Sequence, residues 1–220
     1  MKIAGLQKTS LTDFPGRVAA IVFTAGCGLR CPYCHNSNLI NADGRLSRAD
    51  VVDVLRDRAD VLDGVVITGG EPTRQPHLAA FVEDIRDLGL AVKLDTNGTR
   101  PDLLDSLLKR LDYVAMDVKT SPERYDRLGA DVGRRVQRSV ETIRDAEVDH
   151  EFRLTFDAAV VRPEDLKRIL ELVGDSPLYV QPVETDHVLD PDRVKGTPDD
   201  PLELIRDTCE TVDAELYLRQ

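Results

Sequence analysis

The sequence predicts an α/β protein, a partial open (β/α)6-type barrel with mostly parallel strands. Apolar runs with the character of strands alternate strictly with amphipathic helical segments, a pattern typical of parallel strands joined by right-handed crossovers. About six such units fit into 220 residues, whereas a closed eight-unit barrel typically takes about 250 residues. A doubly wound open sheet is the alternative, because the order of elements along the chain is the same in both folds.

The strands are predicted from short apolar runs that end in glycine or polar residues. The first run, 18–26, is continuously apolar over "VAAIVFTAG", as expected of a buried strand of a parallel sheet. Further strands are expected at 64–70, 90–98, 112–119, 151–161 and 177–183, with a short terminal strand at 214–220.

Helices are predicted between these strands from apolar residues at helical spacing and from capping residues. Ser47 is placed to cap the first helix, Gly89 stops the second, and Pro101 lies near the start of the third. The predicted helices are 47–62, 75–89, 100–111, 133–147, 163–174 and 201–213.

The composition predicts one globular domain that spans residues 1–220. Hydrophobic residues make up 41 % of the chain and charged residues 31 %, as in ordinary globular proteins. The net charge of −11 argues against binding nucleic acid through a broad basic surface. No apolar run approaches the roughly 20 residues of a membrane span, and the N-terminus lacks the apolar core of a signal peptide. We therefore expect a cytoplasmic protein that binds neither nucleic acid nor membrane.

The acidity of the chain has two interpretations. The carboxylates can be an ordinary solvated surface, or an adaptation to high intracellular salt, in which a dense carboxylate surface is screened and stays hydrated. We favour the second interpretation, because aspartate greatly outnumbers glutamate and the acidic residues are spread along the whole chain.

Three of the four cysteines lie within eight residues of "FTAGCGLRCPYCHN", with the spacing C-x3-C-x2-C. A structural zinc site generally takes four ligands, and the candidates for the fourth are His35, which is adjacent to Cys34, and the distant Cys209. An iron–sulfur cluster explains the pattern better, because thiolates are its normal ligands. Three thiolates on a four-iron cluster leave one iron open, and an open metal position suits a catalytic site.

Five motifs with polar or glycine residues follow five of the predicted strands. Because the carboxyl ends of parallel strands meet at one edge of the sheet, we expect these motifs to converge on one site. They are the cysteine cluster, Gly-Gly-Glu at 69–71, Asp-Thr-Asn-Gly at 95–98, Asp-Val-Lys at 117–119 and Gln-Pro at 181–182.

The stretch "CGLRCPYC" resembles the C-x3-C-x-aromatic-C motif of the radical S-adenosylmethionine (SAM) superfamily. The resemblance implies a [4Fe-4S] cluster held by Cys27, Cys31 and Cys34, with the open iron chelated by the amino and carboxylate groups of SAM. Tyr33 matches the aromatic position beside the adenine. Its other interpretation is a core aromatic that braces the loop, and the two roles are compatible.

"TGGEP" resembles the Gly-Gly-Glu motif of the same superfamily, which contacts the methionyl amino group. Glycines at a strand end let a ligand approach the backbone closely, and a glutamate beside them can receive an ammonium group. Gly69, Gly70 and Glu71 are the matching residues. On the residues alone, the motif is equally a turn with an exposed acid.

"LDTNG" and "AMDVKT" resemble segments of the glycyl-radical-enzyme activases, a branch of the superfamily. The resemblance places Asp95, Thr96, Asp117 and Lys119 near the SAM carboxylate, with a possible bound monovalent cation. Carboxylates that face another carboxylate need a cation or a lysine between them. The alternatives are an Asx-type turn at Asp95 and a structural ion pair between Asp117 and Lys119, which lie two residues apart on one strand face.

The N-terminal stretch "KTSLTDFPG" resembles the segment that precedes the first strand in the activases, and it implies that Asp13 and His35 lie near the partner's glycine loop. Arg153 is a candidate for contact with SAM or substrate, or for an ion pair with one of the many acids. Gln181 is expected to line the pocket. The resemblance leads us to expect a histidine beside Gln181, but the nearby His187 does not fall at the matching position. Cys209 is expected to be a small buried residue.

The resemblance implies reductive cleavage of SAM and formation of a glycyl radical on a partner enzyme, closest to activation of anaerobic ribonucleoside-triphosphate (ribonucleotide) reductase. It also implies a low-potential electron donor, flavodoxin or ferredoxin. The alternatives are a radical SAM enzyme acting on a small molecule, for example in the 7-deazapurine pathway, and a non-enzymatic metal protein.

Overall fold

Eight strands form a single open sheet in the computed structural model, which describes residues 1–208 and 215–218. The spatial order of the strands is their order along the chain, β1 is antiparallel to β2, and every later pair is parallel. This arrangement confirms the predicted partial barrel and has no switch point of a doubly wound sheet. The strands are β1 Ile3–Ser10, β2 Ala19–Thr24, β3 Gly64–Gly69, β4 Ala91–Thr96, β5 Tyr113–Asp117, β6 Asp149–Phe156, β7 Leu178–Pro182 and β8 Leu216–Leu218.

Six helices connect the parallel strands, as the sequence predicts. Ser47 caps the first helix by accepting a hydrogen bond from the backbone N–H of Asp50 at 3.1 Å, and Pro101 occupies the first turn of the third. The second helix begins later than predicted because His77 has a left-handed φ of 65°. The helices are α1 Arg48–Arg56, α2 Leu78–Asp87, α3 Pro101–Leu107, α4 Gly133–Arg144, α5 Pro163–Val173 and α6 Pro201–Thr208.

Two boundaries differ from the prediction for identifiable reasons. The strand β1 is not predicted, because "IAGLQKTS" mixes polar and apolar residues, as an edge strand does. The predicted strand 151–161 ends at Phe156, because the buried carboxylate of Asp157 accepts hydrogen bonds from the backbone N–H groups of Ala159 and Lys195 and turns the chain. Cys209 lies outside the described residues.

The two faces of the sheet have different chemistry. Residues such as Val22, Ile67 and Leu94 pack against the helices in the main hydrophobic core. The alternate residues face the inside of the partial barrel, since side chains along a strand point to opposite faces. Near the amino ends of the strands this inner face is apolar, with Phe14 and Ile21, and towards the carboxyl ends it carries charged side chains.

The carboxyl ends of β2–β7 lie at one edge of the sheet because these strands are parallel. The loop between β1 and β2, which contains Asp13, lies at the opposite edge, because Ser10 pairs with Ala19 at the start of β2. Among the described residues, no helix combines the length and the hydrophobicity needed to cross a membrane.

Candidate active site

A cavity of about 530 Å³ opens at the carboxyl edge of the parallel strands. It brings together every predicted site residue except Asp13, which lies at the other edge of the sheet and hydrogen-bonds Ser10. Gln181 also lines it, as expected, whereas His187 does not. The predicted residues in the lining are Cys27, Cys31, Tyr33, Cys34, His35, Gly69, Gly70, Glu71, Asp95, Thr96, Asp117, Lys119 and Arg153.

The three thiols lie on the loop that follows β2. Cys31 is buried, whereas Cys27 and Cys34 are half-buried, and all three are free thiols. Burial raises the pKa of Cys31 to about 11, although the nearby Lys119 partly opposes it, and burial also raises the pKa of Cys34. A thiolate at these positions therefore needs additional positive charge, which a bound metal centre supplies when it displaces the thiol protons.

The glycine pair lets two strand ends come together. Gly69 has a φ of +110°, and a Cβ there would lie 2.6 Å from the backbone of Thr24. A Cβ on Gly70 would lie 2.4 Å from the carbonyl oxygen of Gly26, directly before Cys27. Glycine is thus required at both positions because the backbone at Thr24 and Gly26 lies so close. The sequence alone suggests a different reason, the close approach of a ligand.

Glu71 is wholly buried and its carboxylate is bound by the protein itself. Oε1 accepts hydrogen bonds from the hydroxyls of Thr73 and Thr96 at 2.5 and 2.7 Å, and Oε2 accepts one from the backbone N–H of Asn97 at 2.7 Å. Burial raises the pKa of Glu71, and these hydrogen bonds oppose the rise. The interpretation of an exposed acid is therefore wrong, and this carboxylate joins the ends of β3 and β4.

A buried network of charges forms the other wall of the cavity. The Arg153 guanidinium bridges two carboxylates, with Nε 2.8 Å from Asp117 and Nη1 3.2 Å from Asp95. Lys119 pairs with Asp117 at 3.1 Å, and Lys93 pairs with Asp95 at 2.7 Å. The structural ion pair considered for Asp117 and Lys119 is therefore present, and so is one for Arg153.

The network fixes the charge state of its members. Burial alone would raise the pKa of Asp117, but Arg153 and Lys119 outweigh burial and hold this pKa at about 2. Arg153 and Lys93 likewise lower the pKa of Asp95. Burial would lower the pKa of Lys119, but the facing Asp117 raises it well above the ordinary value. Asp95, Asp117 and Lys119 are thus charged at neutral pH.

Tyr33 has a buried hydroxyl without a partner. The side chain is 5 % exposed and lines the cavity, and its oxygen has no hydrogen-bond partner among the described residues. A buried polar atom of this kind costs free energy unless a ligand or water satisfies it. The Tyr33 side chain therefore lines the cavity while its hydroxyl remains an unsatisfied buried group.

Several residues in or beside the cavity lining were given no individual role from the sequence. Asn97 donates from its amide to the sulfur of Cys27 at 3.7 Å, and Thr68 donates to Asp95 at 3.2 Å. Thr155 also lines the cavity and accepts a hydrogen bond from the predicted Gln181 at 2.8 Å. Lys93 is 2 % exposed and alternates with Asp95 along an otherwise apolar strand; that two-residue spacing is the signal that could have revealed it.

The sequence profile of the radical SAM superfamily matches residues 21–175 of the chain. This chain therefore belongs to the radical SAM superfamily and is a radical SAM enzyme. Membership implies a [4Fe-4S] cluster and SAM as cofactors.

Several curated relatives match most of the chain. It is 33 % identical over 190 residues to a protein of Methanocaldococcus jannaschii assigned as a glycyl-radical enzyme activating enzyme, covering 80 % of this chain and 77 % of that protein. It is 31 % identical over 191 residues to the 7-carboxy-7-deazaguanine synthase of Methanopyrus kandleri, covering 77 % of this chain and 75 % of that protein. A shorter match, 32 % over 125 residues and about half of each chain, is to the pyruvate formate-lyase-activating enzyme of Clostridium pasteurianum.

Among solved structures, the fold is similar to that of Streptococcus suis SuiB bound to precursor peptide SuiA. The TM-score is 0.69 at 16 % sequence identity, over 91 % of this chain. This chain spans about half of the SuiB chain, 48 %, and the likeness shows the fold alone.

Replacing Asp117 by Asn should destabilise the protein mainly above pH 4. The folded-state pKa of about 2 lies below the ordinary value of 3.8. The ionised carboxylate therefore contributes stability that is present above the ordinary pKa and is lost as the pH falls towards 2. We expect the variant to lose about 2 kcal/mol or more of unfolding free energy at pH 6, and less at pH 2.5, measured by urea denaturation.

Asp60→Asn is the matched control, because Asp60 is exposed and makes no ion pair within the described part of the chain. Its effect should be small at both pH values. A loss for Asp117→Asn that is the same at pH 6 and pH 2.5 would contradict the charge assignment.

Proposed function

We propose that the protein is a glycyl-radical-enzyme activating enzyme whose partner is anaerobic ribonucleoside-triphosphate reductase. The observation that carries the activase assignment is that one cavity collects the cysteine loop and the Asp-Thr-Asn-Gly and Asp-Val-Lys motifs. The M. jannaschii relative supports it over most of the chain. The choice of reductase rests on the resemblance of almost the whole chain to the compact activating proteins of that reductase.

In this proposal Cys27, Cys31 and Cys34 hold the [4Fe-4S] cluster. Their placement fits the group, because the three thiols lie on one loop at the cavity wall, where burial makes unbound thiolates costly. When bound, the cluster and SAM supply the one-electron chemistry that ends in removal of a hydrogen atom from the substrate. The residues of the chain orient these groups and exclude water from the cavity.

We assign the SAM carboxylate to the wall formed by Lys119 and Arg153, and the adenine side to Tyr33. Lys119 and Arg153 are the cations of the network that line the cavity, and both remain charged. Arg153 already lies between Asp95 and Asp117. A monovalent cation at this place would therefore compete with the guanidinium, which binds carboxylates through several fixed donors.

The main chain at Gly69 and Gly70 is proposed to contact the methionyl amino group. The side chains of Glu71 and Thr96 are already hydrogen-bonded to each other, so they act by holding this main chain in place.

His35 is exposed at the cavity lining and is assigned to the partner's glycine loop. Asp13 does not share that surface, because it lies at the opposite edge of the sheet. A flavodoxin or ferredoxin is the proposed electron donor. The cytoplasmic location of the protein and its adaptation to high salt stay predictions.

A small-molecule radical SAM reaction is the second candidate. The similarity to the M. kandleri 7-carboxy-7-deazaguanine synthase favours it, because that match also extends over most of both chains. The two candidates differ in the source of the hydrogen atom, which is a backbone glycine in one case and a small organic substrate in the other.

The partner assignment is tested by activation of purified anaerobic ribonucleoside-triphosphate reductase with the anaerobically reconstituted holoenzyme, SAM and a reductant. We expect a glycyl radical signal in electron paramagnetic resonance. Cys27→Ala, Cys31→Ala and Cys34→Ala should each abolish the signal and 5′-deoxyadenosine release, because each removes a cluster ligand. Cys209→Ala is the control and should keep both.

Turnover of a 7-deazapurine precursor without any glycyl radical on the reductase would reject the activase assignment in favour of the second candidate. Loss of iron in Cys209→Ala, with iron retained in one of the other three variants, would contradict the ligand assignment.

Replacing Asn97 by Leu should lower the reduction potential of the bound cluster. The amide of Asn97 donates to the sulfur of Cys27, and hydrogen bonds to cluster sulfurs help to set the potential by withdrawing charge from them. The measurement is a redox titration followed by electron paramagnetic resonance. Asn38→Leu, at an exposed residue near the same loop, should leave the potential unchanged; an equal or higher potential in Asn97→Leu would contradict the assignment.

A further inference from the structure

Five exposed arginines form a basic groove beside the cysteine loop. A second cavity, of about 540 Å³, is lined by four of them together with Thr73 and Thr99. The fifth arginine follows Thr73 and reaches the cysteine loop, since a Cβ on Gly28 would lie 2.9 Å from its guanidinium. The basic groove consists of Arg74, Arg100, Arg134, Arg135 and Arg138.

The groove is positively charged, whereas the protein as a whole has a net charge of −11. Arg138 pairs with Asp102 at 2.8 Å. The other four arginines have no carboxylate within ion-pairing distance in the parts of the chain that the structure describes. The groove therefore keeps unneutralised positive charge that is available to an acidic partner.

Stability does not account for these arginines. Arg134 and Arg135 lie in the first turn of α4, and that turn contains no acidic residue. The helix dipole disfavours cations at this end, by about 0.3–1 kcal/mol each, and neighbouring unpaired arginines repel one another. Residues that cost stability at an exposed surface are better explained by what they bind.

The floor of the groove is connected to the candidate cluster site through one side chain. The hydroxyl of Thr99 donates to Asn97 Oδ1 at 2.8 Å, and Asn97 Nδ2 donates to the sulfur of Cys27 at 3.7 Å. An electron that enters at the groove therefore has a short hydrogen-bonded path to a cluster ligand. Electron tunnelling falls steeply with distance, so this proximity matters.

The groove and the active-site cavity have no lining residue in common. A protein bound at the groove would therefore leave the larger cavity open to SAM and to the substrate. This separation argues that the groove serves electron entry and not the binding of the substrate.

We propose that the basic groove is the docking surface of an acidic electron-donor protein, which delivers its electron at the Asn97 side of the cluster. In each encounter the reduced cofactor of the donor is oxidised by one electron and the cluster is reduced by one electron, and no covalent bond forms or breaks. The inference rests on the proposed cluster ligands and protein donor, but not on which substrate the enzyme uses.

The test uses the reconstituted holoenzyme and the hydroquinone form of an acidic bacterial flavodoxin, mixed anaerobically while the cluster absorbance is followed. Arg134→Glu/Arg135→Glu should lower the second-order rate constant about tenfold or more at low salt, because it replaces attraction by repulsion. Raising the salt concentration should slow reduction of the wild type, because salt screens the attraction between the basic groove and the acidic donor. Two acidic proteins without such a groove would instead associate faster at higher salt, because salt screens their repulsion.

The matched control is Lys8→Glu/Arg17→Glu, which changes the net charge by the same amount at exposed residues on β1 and the loop after it. It should change the rate less than threefold. Reduction by titanium(III) citrate should be unaffected in both variants, which shows that the folded cluster site is intact.

An equal loss of rate in both double variants, or faster reduction of the wild type at higher salt, would overturn the docking surface. Failure of both the flavodoxin and a reduced acidic ferredoxin to reduce the wild type, while titanium(III) citrate supports 5′-deoxyadenosine release, would overturn the protein donor. Neither result would bear on the substrate assignment. That assignment is tested separately, by detecting the glycyl radical with titanium(III) citrate as the reductant.

Discussion

The site depends on one buried carboxylate. Glu71 joins three chain segments that are far apart in sequence: its side chain holds Thr96 and Asn97 at the end of β4, and its backbone N–H donates to Gly26 before the cysteine loop. The carboxylate is wholly buried, and its hydrogen bonds offset the free-energy cost of removing it from water. The position of Cys27 relative to the rest of the cavity follows from this arrangement, since Gly26 is its immediate neighbour.

The two walls of the cavity are built on different physical grounds. The cysteine side is held by hydrogen bonds and by the close approach of Gly70 to Gly26, which leaves no room for a Cβ. The opposite wall is held by ion pairs around Arg153. Removing one member of a buried ion network leaves its partners uncompensated, which costs more than the pair itself contributes. The charges of this wall therefore depend on one another, and two of them, on Lys119 and Arg153, are cations that line the cavity.

The sequence predicted the architecture well because its signals are local. Alternating apolar strands and amphipathic helices identify the parallel sheet, and parallel strands bring their carboxyl ends to one edge. The motifs at 27–34, 69–71, 95–98 and 117–119 therefore met in one cavity. The strand β1 escaped prediction because an edge strand carries no continuous apolar run.

The contacts across strands were not predictable, since they depend on register. Asp117 faces Arg153 because these residues are paired across β5 and β6, and no feature of either segment alone reveals this pairing. The burial of Glu71 depends on Thr96 and Asn97, which come from another strand. Asp13 was misplaced for the same reason: its distance from the cavity follows from the antiparallel pairing of β1.

The most direct test of the central claim, that Glu71 holds the strand ends together, is hydrogen exchange of the apo protein with and without Glu71→Gln. A glutamine amide cannot accept from all the donors that the carboxylate satisfies, and an unsatisfied buried donor costs about 1–3 kcal/mol. We predict exchange faster by about tenfold or more in peptides covering 24–28, 69–73 and 95–99, with Tyr113–Asp117 unchanged. Equal exchange in all of these segments would contradict the claim.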